Sequence, residues 1–148
     1  MFRGATALAW PGDDAAALPD GEGFLLVAGE AIWPPLVEAD PYGAGIAAVV
    51  ANANDVAAMG GRPLALLDTV VAAGDEARRI LEGIRAAAEL YGIPVVGGHL
   101  TIREGLPALS AFILGRARAL LPATAVRPGH TLLLACCVEG TLRPEIPA

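Results

Sequence analysis

The sequence predicts a mixed α/β layer fold, built from one sheet and two main helices. Glycine and proline divide the chain into short apolar segments that alternate with longer segments of helical character. Hydrophobic residues make up 55% of the chain and charged residues only 18%, a composition that excludes intrinsic disorder. The length of 148 residues suits a single domain that buries a core without disulfides or a metal.

The first half of the chain predicts a strand, a helix and a second strand. Residues 24–27 are apolar and lie near glycines, which is typical of a short strand. Residues 41–59 are rich in alanine, glycine and valine and predict a helix, because two glycines and then a proline follow them as a stop signal. Residues 64–72 are apolar with a β-branched end and predict the second strand.

The second half predicts the clearest helix and three more strands. Over residues 75–91 apolar residues recur with helical spacing, with Ile80, Ile84 and Tyr91 on one face and charged residues on the other. Gly92 and a nearby proline predict the end of this helix. The further strands are predicted at residues 95–96, 108–116 and 131–138.

Charge and residue usage exclude several classes of function. The net charge of −6 argues against nucleic-acid binding, because a phosphate backbone requires a basic surface. The chain has no lysine, which excludes lysine Schiff-base chemistry and a Walker A loop. Its two cysteines, Cys136 and Cys137, are adjacent and seldom pair in that position, so we expect a reducing cytoplasm. No apolar run reaches the roughly 18 residues of a membrane span.

Acidic residues stand beside glycines and small residues at three places in this weakly charged chain. Asp13 and Asp14 lie in a turn before the first predicted strand, and Glu30 lies at the end of that strand. Asp55 belongs to the alanine-rich helix, whose apolar neighbours predict burial, so its carboxylate needs a partner. If these carboxylates converge, a cation has to join them, and oxygen ligands suit Mg²⁺. The alternatives are turn formation by Asp13 and Asp14 and a solvated helix position for Asp55.

Two consecutive glycines and a histidine follow a predicted strand. Gly97 and Gly98 would let backbone N–H groups approach a phosphate without a side chain in the way. The alternatives are an ordinary turn for the glycines and a structural role for His99.

Taken together, these ordered motifs resemble the N-terminal domain of the aminoimidazole ribonucleotide synthetase (PurM-like) superfamily. The motifs are Gly12-Asp13-Asp14, then Asn54-Asp55 with Ala58-Met59-Gly60-Gly61 after it, and Gly97-Gly98-His99. They are most similar to those of selenophosphate synthetase, and the superfamily also includes thiamine monophosphate kinase. The resemblance covers roughly residues 12–135.

The resemblance implies a fold, a cofactor and a partner. It implies a mixed sheet with two main helices on one face, and a homodimer in which the sheets of two copies form a barrel. It implies Mg²⁺ and ATP as cofactors, with Asp13, Asp14 and Asp55 as metal ligands. The residues implied to contact the nucleotide are Gly12, Asp13, Glu30, Asp55, Gly97, Gly98 and His99. It also implies that residues 1–138 form one ATP-binding domain and that 139–148 are a tail or the start of a linker to a second domain.

The implied function is that of an ATP-binding domain in an enzyme that transfers phosphate from ATP to a small acceptor. Arg62 and Arg103 are the candidates to replace the missing lysine against phosphate. The segment before Gly12 has no cysteine, unlike selenophosphate synthetase, and Glu30 stands where the family has an aspartate. The alternatives are a non-catalytic dimerisation or nucleotide-binding module, and half of an enzyme like thiamine monophosphate kinase or selenophosphate synthetase.

Overall fold

The computed structural model describes residues 13–136. The elements in this range are β1 (Ala16–Asp20), β2 (Gly23–Ala31), α1 (Pro34–Ala39), α2 (Pro41–Ala58), β3 (Arg62–Ala72), α3 (Gly74–Tyr91), β4 (Val95–Ile102), β5 (Ala108–Ala117) and a 3-10 turn (Ala123–Ala125). Gly12, Cys137 and the predicted tail at 139–148 lie outside the described residues.

The five strands form one mixed sheet in the order β1-β2-β5-β3-β4. Neighbouring strands are antiparallel except β3 and β4, which are parallel and are connected through α3. The register sets Glu30 on β2 opposite Ala111 on β5, and Ala111 opposite Asp68 on β3. Asp68 in turn lies opposite Gly98 on β4. These four residues therefore form one row across the same face of the sheet.

The helices pack on one face of the sheet and leave apolar residues of the other face exposed. On β5, Leu109 and Ile113 are 2% exposed, whereas Phe112 and Leu114 are 47% and 36% exposed. The buried face packs against α2 and α3, and a Cβ atom on Gly115 would meet Val56 of α2. We call the opposite side the open face, and its large exposed apolar residues are Leu18, Val27, Leu67, Phe112 and Leu114.

The long helices α2 and α3 pack against each other through glycine. A Cβ atom on Gly45 of α2 would overlap the carbonyl oxygen of Ile80, and one on Gly83 of α3 would overlap that of Tyr42. The helix backbones therefore approach more closely than any side chain would allow. Asp40 caps α2 by accepting a hydrogen bond from the Gly43 N–H at 3.0 Å.

Most predicted elements are confirmed, and β1, α1 and the 3-10 turn were not predicted. The helices predicted at 41–59 and 75–91 correspond to α2 and α3, and the strands at 24–27, 64–72 and 108–116 correspond to parts of β2, β3 and β5. Strand β1 and the short helix α1 were missed. No helix among residues 13–136 is long and apolar enough to cross a membrane.

Two strand predictions need correction. The strand predicted at 95–96 extends through Ile102, so the Gly-Gly-His motif lies within a strand. The strand predicted at 131–138 is wrong for residues 131–136, which form no regular structure. Leu132, Leu133 and Leu134 are 94%, 85% and 89% exposed, because no strand among the described residues pairs with them.

Candidate functional site

Three carboxylates from separate parts of the chain approach one another beside the sheet. Asp14 precedes β1, Glu30 lies near the end of β2, and Asp55 lies in the last turn of α2. The pKa of Asp55 is raised above its ordinary value, first by burial and then by the negative charges of Glu30 and Asp14. Asp55 therefore lies within electrostatic range of both Glu30 and Asp14, and we call these three residues the acidic cluster.

Asp55 is held in this cluster by the packing of its neighbour. Val56 is fully buried beneath α2, where it lies against Gly61 and Gly115. This contact fixes the rotation of the helix and leaves Asp55 partly buried beside it. One carboxylate oxygen of Asp55 is buried and has no hydrogen-bond partner among the described residues. A buried oxygen of this kind lowers stability unless a ligand satisfies it.

Asp13 has a second unpaired oxygen. Its Oδ1 atom accepts hydrogen bonds from the backbone N–H groups of Asp14 and Ala123, each at 3.3 Å. These bonds connect the start of the described chain to the 3-10 turn that follows β5. Its Oδ2 atom is buried without a partner among residues 13–136. Asp13 therefore presents an oxygen that is free to accept a bond or a metal ion.

The acidic residues suit a metal ion that is already bound to water or to phosphate oxygens. Within residues 13–136, no group of three or more His, Cys, Asp or Glu side chains is arranged to hold a metal ion. Mg²⁺ keeps several waters and is usually bound by one or two carboxylates together with substrate phosphates. The unpaired oxygens of Asp13 and Asp55 fit that pattern, with phosphate oxygens supplying further ligands.

The Gly-Gly-His motif does not join the acidic cluster within one chain. Gly98 lies three strands away from Glu30 in the row across the sheet, a distance of about 14 Å at the usual strand spacing. The ordinary turn considered for the two glycines is not formed, because Gly97, Gly98 and His99 all belong to the edge strand β4. His99 is exposed, and its Nε2 atom lies 3.1 Å from Thr101 Oγ1.

The two candidate phosphate-binding arginines lie at opposite ends of the sheet. Arg62 begins β3, whereas the Arg103 N–H donates to the carbonyl of Ala72 at the other end of that strand. The strand has 11 residues, which corresponds to about 33 Å. Arg62 and Arg103 of one chain therefore cannot contact the same phosphate group.

Sequence reasoning missed one buried acidic residue, Asp68 on β3. It is only 9% exposed, and burial raises the pKa of its carboxyl. Its flanking residues on the same face, Leu66 and Val70, are fully buried. The signal was present in the sequence, since Asp68 is the only charged residue within the apolar run at 64–72.

Comparison with known proteins gives the family. The family model described as "AIR synthase related protein, N-terminal domain" matches residues 12–117. A protein of Synechocystis sp. designated sll0787 is 41% identical over 137 residues, which cover 92% of this chain and 42% of that protein. Selenide, water dikinase of Myxococcus xanthus is 33% identical over 129 residues, which cover 82% of this chain and 36% of the dikinase.

A solved structure agrees with these matches. AaThiL complexed with AMPPCP and TMP superposes with a TM-score of 0.65 and 27% identity, over 74% of this chain and 37% of that one. The chain spans less than half the length of these relatives. The PurM-like resemblance seen in the sequence motifs is thereby confirmed. Because the family model covers more than half of its residues, this chain belongs to the AIR synthase related proteins, in which it corresponds to the N-terminal domain.

Proposed function

We propose that this chain is the Mg²⁺-dependent ATP-binding domain of an enzyme that transfers phosphate from ATP to a small acceptor. The observation that carries the proposal is that Asp55, a partly buried carboxylate, lies within electrostatic range of Glu30 and Asp14. A buried, unpaired carboxylate oxygen on Asp55 supports it, because that oxygen lacks a ligand in the chain itself. The likeness to AaThiL, solved with AMPPCP and TMP, supports a nucleotide as the bound molecule.

Each acidic residue has a distinct part in this proposal. Asp14 and Asp55 would hold Mg²⁺, and Asp13 would hold or orient it from the side of the 3-10 turn. The bound ion would bridge phosphate oxygens and neutralise their charge. Glu30 keeps the site strongly negative, so free ATP is repelled and the metal complex is favoured. A bound cation would offset both the burial of Asp55 and the repulsion from Glu30 and Asp14, which together raise the pKa of Asp55.

The proposal includes a homodimer formed through the open face. Val27, Leu67 and Phe112 are 41% to 47% exposed on this face, and a continuous exposed apolar surface of this kind marks an interaction site. Pairing two open faces would close the sheets into a barrel and cover their unpaired edges. Such pairing would also explain the position of Gly97, Gly98 and His99, because a second copy could bring them to the nucleotide.

The second candidate function is nucleotide binding without turnover, in a dimerising module. The absence of lysine favours it, because no ammonium group is available to neutralise phosphate charge. Both candidates have the Mg²⁺–ATP site. Only the first transfers the phosphate of ATP to an acceptor, whereas the second binds the nucleotide without turnover. Supplying the region of a related enzyme that lies beyond the match to this chain, together with a panel of small acceptors, would separate them.

The test of the Mg²⁺–ATP site is a calorimetric titration of the 148-residue chain. We expect Mg²⁺–ATP to bind and chelation of Mg²⁺ to abolish binding. Asp55→Asn keeps the shape of the side chain and removes its charge, so affinity should fall at least about tenfold. Asp75→Asn is the matched control, because the Asp75 side chain is 97% exposed on α3 and has no part in the proposed Mg²⁺–ATP site.

Two results would contradict this proposal. One is unchanged Mg²⁺–ATP affinity in Asp55→Asn, and the other is no binding to the folded wild-type chain. Circular dichroism of each variant, compared with the wild type, separates lost binding from lost folding.

A further inference from the structure

A groove between α3 and the edge strand β4 has no role in the ATP site. It has a volume of about 460 Å³, and Asp68, Leu81, Ile84, Ala88, Ile93 and Val95 line it. We propose that this α3–β4 groove binds a small organic cation with a flat apolar body, whose charged group pairs with the carboxylate of Asp68.

The first observation is the state of Asp68. Its residue surface is 9% exposed, and that remaining surface opens into the α3–β4 groove. The side chain has no hydrogen bond or ion pair with any other residue in the described part of the chain. Buried carboxylates are normally paired, since an unpaired buried charge is strongly destabilising. A carboxylate left in this state is therefore available to a ligand.

The second observation is the space that Gly98 leaves for this carboxylate. A Cβ atom on Gly98 would lie 2.6 Å from the Asp68 backbone carbonyl oxygen, 2.7 Å from Asp68 Oδ1 and 2.9 Å from its Cγ atom. These distances are too short for real contacts, so a larger residue would push against both the backbone of β3 and the Asp68 carboxyl group. Gly98 and Asp68 are direct neighbours in the β3–β4 register. The edge strand therefore keeps Asp68 unobstructed at the side of the groove.

The third observation concerns the charges at the rim. Arg85 and Glu89 of α3 also line the groove, and they pair with each other, with Arg85 Nε 3.1 Å from Glu89 Oε1. The walls are otherwise apolar, with Leu81 and Ile84 from α3 and Ile93 from the segment before β4. An apolar groove with one carboxylate favours an ammonium or amidinium group carried on an apolar body. The volume falls within the range of about 300–1,000 Å³ that is usual for small-molecule sites.

The groove is separate from the acidic cluster. Ala111 lies between Glu30 and Asp68 in the row across the sheet, and it is fully buried under the helices. A ligand in the groove is therefore screened from Asp14 and Asp55. The proposal does not depend on ATP binding, and either can fail alone.

The test uses benzamidine, which combines a flat apolar ring with an amidinium group. Titration of the isotope-labelled chain, followed by NMR, should shift the backbone amides of Ala88, Ile93 and Gly98. Benzamide has the same shape without the charge and should bind at least about tenfold more weakly. Asp68→Asn should weaken benzamidine binding by a similar factor, whereas Asp75→Asn should leave it unchanged.

The amide spectrum of Asp68→Asn shows whether that variant is folded. Asp68→Glu keeps the negative charge in the groove, so it should retain the preference for benzamidine over benzamide that Asp68→Asn loses. Equal binding of benzamidine and benzamide would overturn the proposal. Chemical-shift changes scattered over exposed acidic residues would also overturn it. So would the absence of binding to the wild type, or an unchanged affinity in a folded Asp68→Asn variant.

Discussion

The two faces of the sheet are made from the same kinds of residue and differ in what covers them. Along β5, Leu109 and Ile113 are buried under the helices, while Phe112 and Leu114 are exposed on the open face. An antiparallel sheet with one solvated face normally alternates apolar and polar residues. Here large apolar residues lie on both faces, and no element among residues 13–136 covers the open face, which the proposed dimer would cover.

The largest expected effect comes from placing one charge on each face of β5. Ile113→Glu buries an unpaired carboxylate in the core, and we expect it to prevent folding, since the cost exceeds about 4 kcal/mol. Phe112→Glu, one position earlier, should leave the fold intact and dissociate the proposed dimer. Circular dichroism reports folding, and sedimentation velocity reports the oligomeric state. A folded Ile113→Glu variant would contradict the assignment of one face to the core. A Phe112→Glu variant that remains dimeric would contradict the assignment of the open face to the dimer interface.

The buried face was largely predictable from the sequence, because its signals are local. The helical spacing of Ile80 and Ile84 and the stop signal at Gly92 locate α3, and Gly92 has the positive φ of 65° that this signal implies. Strand β1 was not predictable in this way. It contains Pro19, and its pairing with β2 depends on the hairpin at Gly21, where φ is 60°.

Placement of the site residues was only partly predictable. Asp14, Glu30 and Asp55 could be selected as acidic residues in small-residue settings, and the structure brings them together. The distance of Gly98 from this cluster could not be predicted, because it follows from the strand order and not from the motif. The apolar run at 131–136 shows the same limit, since local composition predicts a strand but pairing requires a distant partner.

A smaller effect is expected where the helices that cover the buried face meet. Gly45→Ala improves helix propensity by about 1 kcal/mol. The added Cβ atom, however, would overlap the Ile80 carbonyl and lie 2.9 Å from Ile84 N, forcing α2 and α3 apart. We expect a net loss of about 2 kcal/mol in the free energy of unfolding.

Thermal unfolding of Gly45→Ala should be compared with that of Gly74→Ala. Gly74 begins α3 and has nothing within 4 Å of its Cβ position, so its substitution should be neutral or slightly stabilising. Equal melting temperatures for the two variants would mean that close backbone packing does not hold the helix layer together.

The smallest effect is expected at Asp68, the one ionisable side chain that faces the helices from β3. Burial raises its pKa in the folded chain above the ordinary value of an aspartate, so the folded state holds the proton more tightly than the unfolded state. The stability that this proton contributes is therefore complete below the ordinary value and is lost as the pH rises through the folded-state pKa. Asp68→Asn removes the ionisation and should stabilise the chain at neutral pH, by less than the loss expected for Gly45→Ala.

Denaturant titrations at several pH values test the sign of this effect. The gain from Asp68→Asn should shrink towards zero as the pH falls below the ordinary pKa of an aspartate. Asp75→Asn should do the opposite at neutral pH, because Asp75 lies in the first turn of α3 and pairs with Arg78 at 3.4 Å. If Asp68→Asn instead destabilises the chain at neutral pH, the carboxylate has a stabilising partner in solution. Asp68 would then not be an unpaired group on the buried face, and the α3–β4 groove would offer no free carboxylate to a ligand.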